Sequence, residues 1–366
     1  MNLPARAELL ATAVVVAVAS MGLLAACSSS AATAQPTMAP VAALTAVATP
    51  SDGAAGAATA GDLIATARAD GPILGAVAAT AGATPSPVAT ESADPTPRLK
   101  MATYVVNNVP FTSAVPCGAK TCQVKLDVFV PVGTGSFQTV VLLRGGPSGM
   151  GGRSYLGTLA QMLAGEGLLV FNADYRDIYS EGGGYPQAFD DVSCAIRFAR
   201  AEASRYGGDG ARITLAGHSL GGWVGSVVAL DPTPFDGDCL AQDGSGRPDA
   251  FVGLAGNYDL TAPWNMPDLL TFFGGSAEAT AAARAASDPF AYAYGSKIPV
   301  RLVAGTNDTA VDPAASTALD IFLLKQGWNV SLTRVPGATH MSLVSAPVAA
   351  ESTLKILQAS ELAQSS

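Results

Sequence analysis

Histidine is scarce, with two in 366 residues. That is too few for a His-rich metal centre, and it leaves any imidazole base only two places to stand. Positive charge is also short, 20 Lys and Arg against 29 Asp and Glu, for a formal net charge of -9. A nucleic-acid binder needs a basic surface to displace counterions, so this balance argues against nucleic acid as a partner. Aromatic residues are missing from 1–103, and all 24 lie from Tyr104 onward. Large aromatics dominate the burial that builds a core. The first hundred residues are therefore not expected to form a globular domain. Residues 101–366 are long enough for one well-filled core.

The N-terminal part divides again. Arg6 gives a short positive start, and Leu9 to Ala26 is an uncharged run rich in Ala, Val and Leu. Residues 1–26 read as a secretory signal; an uncleaved membrane helix is the alternative. Residues 27–100 are rich in Ala, Thr, Pro, Ser and Gly, with Thr84-Pro85-Ser86-Pro87 and Asp94-Pro95-Thr96-Pro97 near the end. Small side chains cannot bury enough area to offset ordering entropy, so this stretch reads as a flexible linker. Between the two, Leu24-Ala25-Ala26-Cys27 resembles the lipobox of bacterial lipoproteins. The resemblance implies cleavage before Cys27, a lipid on that residue, and a chain exported and anchored to the bacterial cell membrane.

With Cys27 set aside, four cysteines remain, an even number that outside the cytosol suggests two disulfides. Cys117 and Cys122 flank Gly118-Ala119-Lys120-Thr121, a tight turn, and are expected to pair; Cys194 and Cys239 then pair by elimination. Four buried free thiols are the alternative. A zinc site is disfavoured, because the spacing is loose and no spare His stands near it.

The aromatic-containing part alternates strand and helix patterns. Cys122–Val130 alternates apolar and polar residues as a half-buried strand does. Gln138–Arg144 and Gly167–Asp174 carry continuous apolar runs, which suit central parallel strands buried on both faces. Arg212–Ala216, Asp249–Ala255, Ile298–Ala304 and Val330–Val335 are further strands. Helices are expected over Tyr155–Gly165, Ala188–Tyr206, Leu220–Leu230 and Ala314–Gln326. The rhythm predicts a mostly parallel α/β sheet, with its chemistry beyond the carboxyl ends of the strands.

One such loop reads Gly217-His218-Ser219-Leu220-Gly221-Gly222, with a strand before it and a helix after it. This is the context a G-x-S-x-G nucleophile elbow requires. Glycines two residues either side of the serine permit the close approach, and the hydroxyl sits at a helix N-terminus that favours developing negative charge. A serine needs a base. His218 lies inside the elbow, with its side chain expected to point away from Ser219. That leaves His340, in the loop after the last strand. The base needs a carboxylate to fix its tautomer. Asp308 lies in the loop after Ile298–Ala304, whereas Asp312 precedes Pro313 as a helix N-cap would. Asp308 is preferred, giving the order Ser219, Asp308, His340.

On these residues, together with Ala173-Asp174-Tyr175-Arg176 and Tyr185-Pro186-Gln187-Ala188-Phe189-Asp190-Asp191-Val192, the chain from about 122 to 345 resembles the esterase/lipase branch of the α/β-hydrolase superfamily. The resemblance implies a mostly parallel eight-stranded sheet flanked by helices, with a small cap in 261–295. It also implies hydrolysis of a small-molecule or polymer carboxylic ester through an acyl-serine, with no metal and no organic cofactor. Where that branch has His-Gly-Gly-Gly, this chain has Arg144-Gly145-Gly146-Pro147-Ser148. The oxyanion hole is then expected at Gly146 and Leu220, with Gly145 as a further donor; Pro147 has no N–H to give. A peptidase or amidase could use the same machinery, with Glu166, Asp177 or Glu181 binding a substrate amine. A non-catalytic surface binding protein on the same scaffold is the alternative from another class. Trp223, Trp264, Phe272 and Phe273 either wall an acyl pocket or belong to the core. Oligomeric state is left open.

Overall fold

Short buried apolar runs dominate the sheet of the computed structural model, which describes residues 101–146, 152–178, 182–233, 235–260, 272–273, 277–292, 297–345 and 348–365. The signal at 1–26, Cys27, the linker at 27–100, Pro147, Glu181 and Trp264 lie outside the described residues.

Ten strands are described among these residues. They are β1 (Thr103–Pro110), β2 (Val115–Cys117), β3 (Lys120–Cys122), β4 (Lys125–Pro131), β5 (Phe137–Leu143), β6 (Leu169–Ala173), β7 (Gly208–His218), β8 (Ala250–Leu254), β9 (Val300–Gly305) and β10 (Val330–Val335). Eight of them form one sheet in the order β1-β4-β6-β5-β7-β8-β9-β10. β4 pairs antiparallel with β1 and with β6, and every other pairing in this sheet is parallel. The mostly parallel eight-stranded sheet is as expected.

The apolar runs are continuous because both faces are covered. Along β5, Val141 and Leu143 point into one hydrophobic cluster while Val140 and Leu142 point into the other, the two-residue period of a strand. One face is covered by α2 (Gln187–Glu202), α3 (Leu220–Leu230) and α5 (Pro313–Lys325), through Phe189, Ile196, Val227 and Leu319. The other is covered by α1 (Gly157–Gly165) and the C-terminal α6 (Ala349–Gln364), through Leu159, Leu163, Ile356 and Ala359.

Several elements differ from expectation, and β7 starts at Gly208, four residues before the expected Arg212. The strand expected from Cys122 begins at Lys125, because Cys122 closes a separate β2–β3 hairpin. β1 carries a weak pattern: it is an edge strand, Tyr104 is half exposed, and Asn108 at φ 59° interrupts the register between Val106 and Val109. α6 has no counterpart in the expected elements. Of the cap stretch, the described part holds α4 (Ala277–Ala286) and a short turn of 3-10 helix at Pro289–Ala291. Cys117 is bonded to Cys122 and Cys194 to Cys239, the pairing expected from the turn and by elimination.

Register brings the site together. Leu143 lies beside both Ala173 and Gly217, and Gly217 lies beside Gly253. The loops starting at Arg144, Asp174, Ser219 and Ala255 therefore leave one edge of the sheet side by side.

Candidate active site

Ser219 stands between β7 and α3 at φ 56°, ψ −120°, a region a non-glycine residue enters only when its surroundings over-determine it. Four hydrogen bonds do so. Its N–H donates to Leu254 O at 2.9 Å, and its carbonyl oxygen accepts from Gly222 N at 2.9 Å, Trp223 N at 3.1 Å and Asn257 N at 3.3 Å. The flanking glycines are required by contact. A Cβ on Gly217 would overlap the carbonyl oxygen of Gly221, and one on Gly221 would overlap that of Arg144.

His340 follows β10 and Asp308 follows β9. Nδ1 of His340 lies 2.7 Å from Oδ2 of Asp308. The other oxygen of Asp308 accepts the N–H groups of Ala310 and Val311, each at 2.9 Å. Burial works to raise the Asp308 pKa. Hydrogen bonds from His340, Val311 and Ala310 outweigh it and hold the carboxyl below its ordinary range. Asp312 instead caps α5, accepting from Ala314 N at 2.8 Å ahead of Pro313.

Ser219 and His340 border one cavity of about 260 Å³, whose walls include Gly145, Gly146, Tyr155 and Met341. The backbone of the glycine loop is not uniformly available. Gly145 N–H donates to the Tyr155 hydroxyl oxygen at 2.7 Å, whereas Gly146 follows it on the cavity wall. Leu220 is the first residue of α3, and the leading N–H groups of a helix have no partner within it.

Two residues that spacing could not identify, Tyr155 and Arg144, brace this site. Tyr155 reaches Nδ1 of His218 at 2.6 Å, and Nε2 of His218 lies 3.1 Å from the carbonyl oxygen of His340. Burial, then the neighbouring His340, lower the His218 pKa to about 3, so its ring is neutral at ordinary pH. Arg144 is fully buried and bonds Asp174, Asp177 and the carbonyls of Gly146 and Tyr175. Asp177 is thus committed to Arg144. Trp223 and Phe272 pack against Phe189, and Phe273 packs against Trp223, all in the core, so the core reading of these aromatics holds.

The BD-FAE family model matches residues 126–323. Among curated proteins the chain is similar to one named probable isoprenylcysteine alpha-carbonyl methylesterase ICMEL1 from Oryza sativa subsp. japonica, 27% identical over 242 residues, which are 60% of this chain and 54% of that protein. It is also similar to Carboxylesterase NlhH from Mycobacterium tuberculosis (strain ATCC 25618 / H37Rv), 33% identical over 122 residues, 33% of this chain and 35% of that protein. The chain thus spans about half the length, or less, of these curated relatives. Among solved structures it is similar to a truncated carbohydrate esterase from gut microbiota, with TM-score 0.59, 16% identity, 73% of this chain and 99% of that one. A second is esterase 2 of Thermogutta terrifontis with propionate bound, with TM-score 0.52, 20% identity, and 70% and 93% coverage. At such identities the likeness is one of fold.

Proposed function

The chain belongs to the BD-FAE family of α/β-hydrolases, and from that membership and the geometry at Ser219 we propose that it hydrolyses carboxylic esters through an acyl-serine intermediate. The observation that carries the reading is the Asp308–His340 pair, bonded at 2.7 Å, with His340 bordering the same cavity as Ser219.

In this reading His340 takes the proton of Ser219 as its oxygen attacks the ester carbonyl. Asp308 holds Nδ1 of His340 protonated, which leaves the other ring nitrogen as the base. The oxyanion is stabilised by the N–H of Leu220 at the start of α3 and by that of Gly146. Gly145 makes a poorer donor, because its N–H already serves Tyr155. The alcohol departs with a proton from His340, which then activates water to release the acid. Every group needed for these steps comes from the chain, and no step draws on a cofactor.

The N-terminal features support an exported protein anchored through lipid on Cys27. Cys27→Ser should move the protein from the detergent phase to the aqueous phase in detergent partitioning; an unchanged partition would refute the anchor.

Ser219→Ala should lower hydrolysis of a chromogenic short-chain ester by about 10³-fold or more and abolish labelling by a fluorophosphonate probe. Wild-type turnover in that variant would refute the mechanism. A matched amide cleaved faster than its ester would move the activity to the amidase class.

A further inference from the structure

The variable position of the elbow is occupied by a buried histidine, and its partners link three separate loops. Tyr155 lies in the short helical turn Gly152–Leu156 before α1, His218 ends β7, and His340 follows β10. The hydroxyl oxygen of Tyr155 accepts the N–H of Gly145 at 2.7 Å and stands 2.6 Å from Nδ1 of His218. Nε2 of His218 stands 3.1 Å from the carbonyl oxygen of His340.

Donor counting assigns every proton in this chain. A carbonyl oxygen can only accept, so Nε2 of His218 must carry the hydrogen it shares with His340 O. The ring is neutral, so Nδ1 is bare and accepts. The Tyr155 hydroxyl, already accepting from Gly145, then donates to Nδ1. Each group has one donor facing one acceptor, and the run goes one way: Gly145 N–H to Tyr155, Tyr155 O–H to His218, His218 Nε2–H to His340 O. Such runs polarise their members and hold a single arrangement.

We infer that Tyr155 and His218 are positioning residues that set the glycine loop and the base against Ser219. The inference rests on the ester-hydrolysis reading above. Tying Gly145 N–H backward fixes the peptide that leads into Gly146, the glycine to which the reading above assigns the donor to the substrate oxygen. Tying the carbonyl of His340 fixes the backbone that carries the base, while Asp308 fixes its ring from the other side. The three loops are packed to within a methyl group: a Cβ on Gly145 would stand 2.6 Å from Ser219 Cβ and 2.9 Å from the Tyr155 oxygen. The rings of His218 and His340 are 4.6 Å apart. Neither Tyr155 nor His218 exchanges a proton with substrate in this scheme. They act through Gly145 and His340.

The test combines kinetics with a readout that needs no activity. Tyr155→Phe keeps the ring and removes the hydroxyl. It should lower kcat by about 10- to 100-fold, the range that small misplacements of reacting groups cost, with KM within about twofold. Tyr155→Phe combined with His218→Gln should lose no more than the worse single variant, because one break interrupts one chain. Wild-type kcat in Tyr155→Phe, a loss carried by KM, or losses that multiply in the double variant would each overturn the inference. With only two histidines, nitrogen-15 imidazole NMR of the whole chain resolves both rings. His218 should show a protonated Nε2, a bare Nδ1 and no titration between pH 5 and 8, and Tyr155→Phe should shift its Nδ1 signal. A protonated Nδ1 on His218 would overturn the inference whether or not the protein cleaves esters. Absence of fluorophosphonate labelling in the wild type would instead strike the ester-hydrolysis reading.

Discussion

Arg144 donates from Nη1 to the carbonyl oxygen of Gly146 at 2.8 Å. Its other nitrogens bond Asp174, Asp177 and the Tyr175 carbonyl, and the guanidinium lies 4.5 Å from the Tyr175 ring centre. The side chain is wholly buried, so its charge is sustained by these partners and not by water. A cation therefore underpins the glycine loop at the position where the resembling branch has histidine.

Arg144→Met should destabilise the fold by about 3–5 kcal/mol, because Asp177 stays buried after its cation is removed. Chemical denaturation would measure the loss. Arg144→Lys should recover only part of it, since an ammonium cannot present the same planar fork to four acceptors.

The two carboxylates after β9 separate cleanly. Asp308→Asn should lower kcat for ester hydrolysis by about 10³- to 10⁴-fold, as expected when the imidazole loses the partner that sets its tautomer. Asp312→Ala removes the cap of α5 and should cost about 1 kcal/mol of stability with kcat little changed. Steady-state kinetics and thermal melts on both variants decide between them.

Two glycines should respond in opposite directions. Gly221→Ala places a methyl group on the carbonyl oxygen of Arg144, a clash with backbone that cannot move without opening the elbow. It should abolish activity and lower the melting temperature strongly. Gly157 begins α1 with nothing within 4 Å of a would-be Cβ. Gly157→Ala should stabilise by up to about 1 kcal/mol, through the lower entropy cost of ordering alanine in a helix.

Asp190 supplies a pH dependence. Burial, then the like charge of Asp191, raise its pKa to about 6, against the pull of Arg176 and the Asp236 N–H. An acid whose pKa is raised on folding is bound to more protons folded than unfolded, so folding loses stability as pH rises from about 4 to 6. Asp190→Asn should therefore raise the melting temperature at pH 8 and leave it nearly unchanged at pH 4. An equal gain at both pH values would refute the assignment.

Much of this protein is local in origin. The buried strands announce themselves through runs such as Val140–Leu143, because a strand covered by helices on both faces has no polar side. The elbow is legible because the close contacts around Gly217 and Gly221 admit only glycine. His340 follows from scarcity, as the second of two histidines when the first lies inside the elbow. Asp312 is recognisable as a cap from the proline after it. β1 and α6 are less legible, since an edge strand and a surface helix bury only part of their pattern and resemble loop.

The relation among Tyr155, His218 and the carbonyl of His340 belongs to the tertiary structure alone. Sequence by itself determined which residue types could serve as nucleophile, base and acid, since that depends on side-chain chemistry and on turns a few residues long. Which groups hold those residues in place was decided only when β5, β7 and β10 came into register. A hydrogen bond between residues 63 or 122 positions apart leaves no periodic trace in the chain, because it is made by packing of distant elements and not by local backbone geometry.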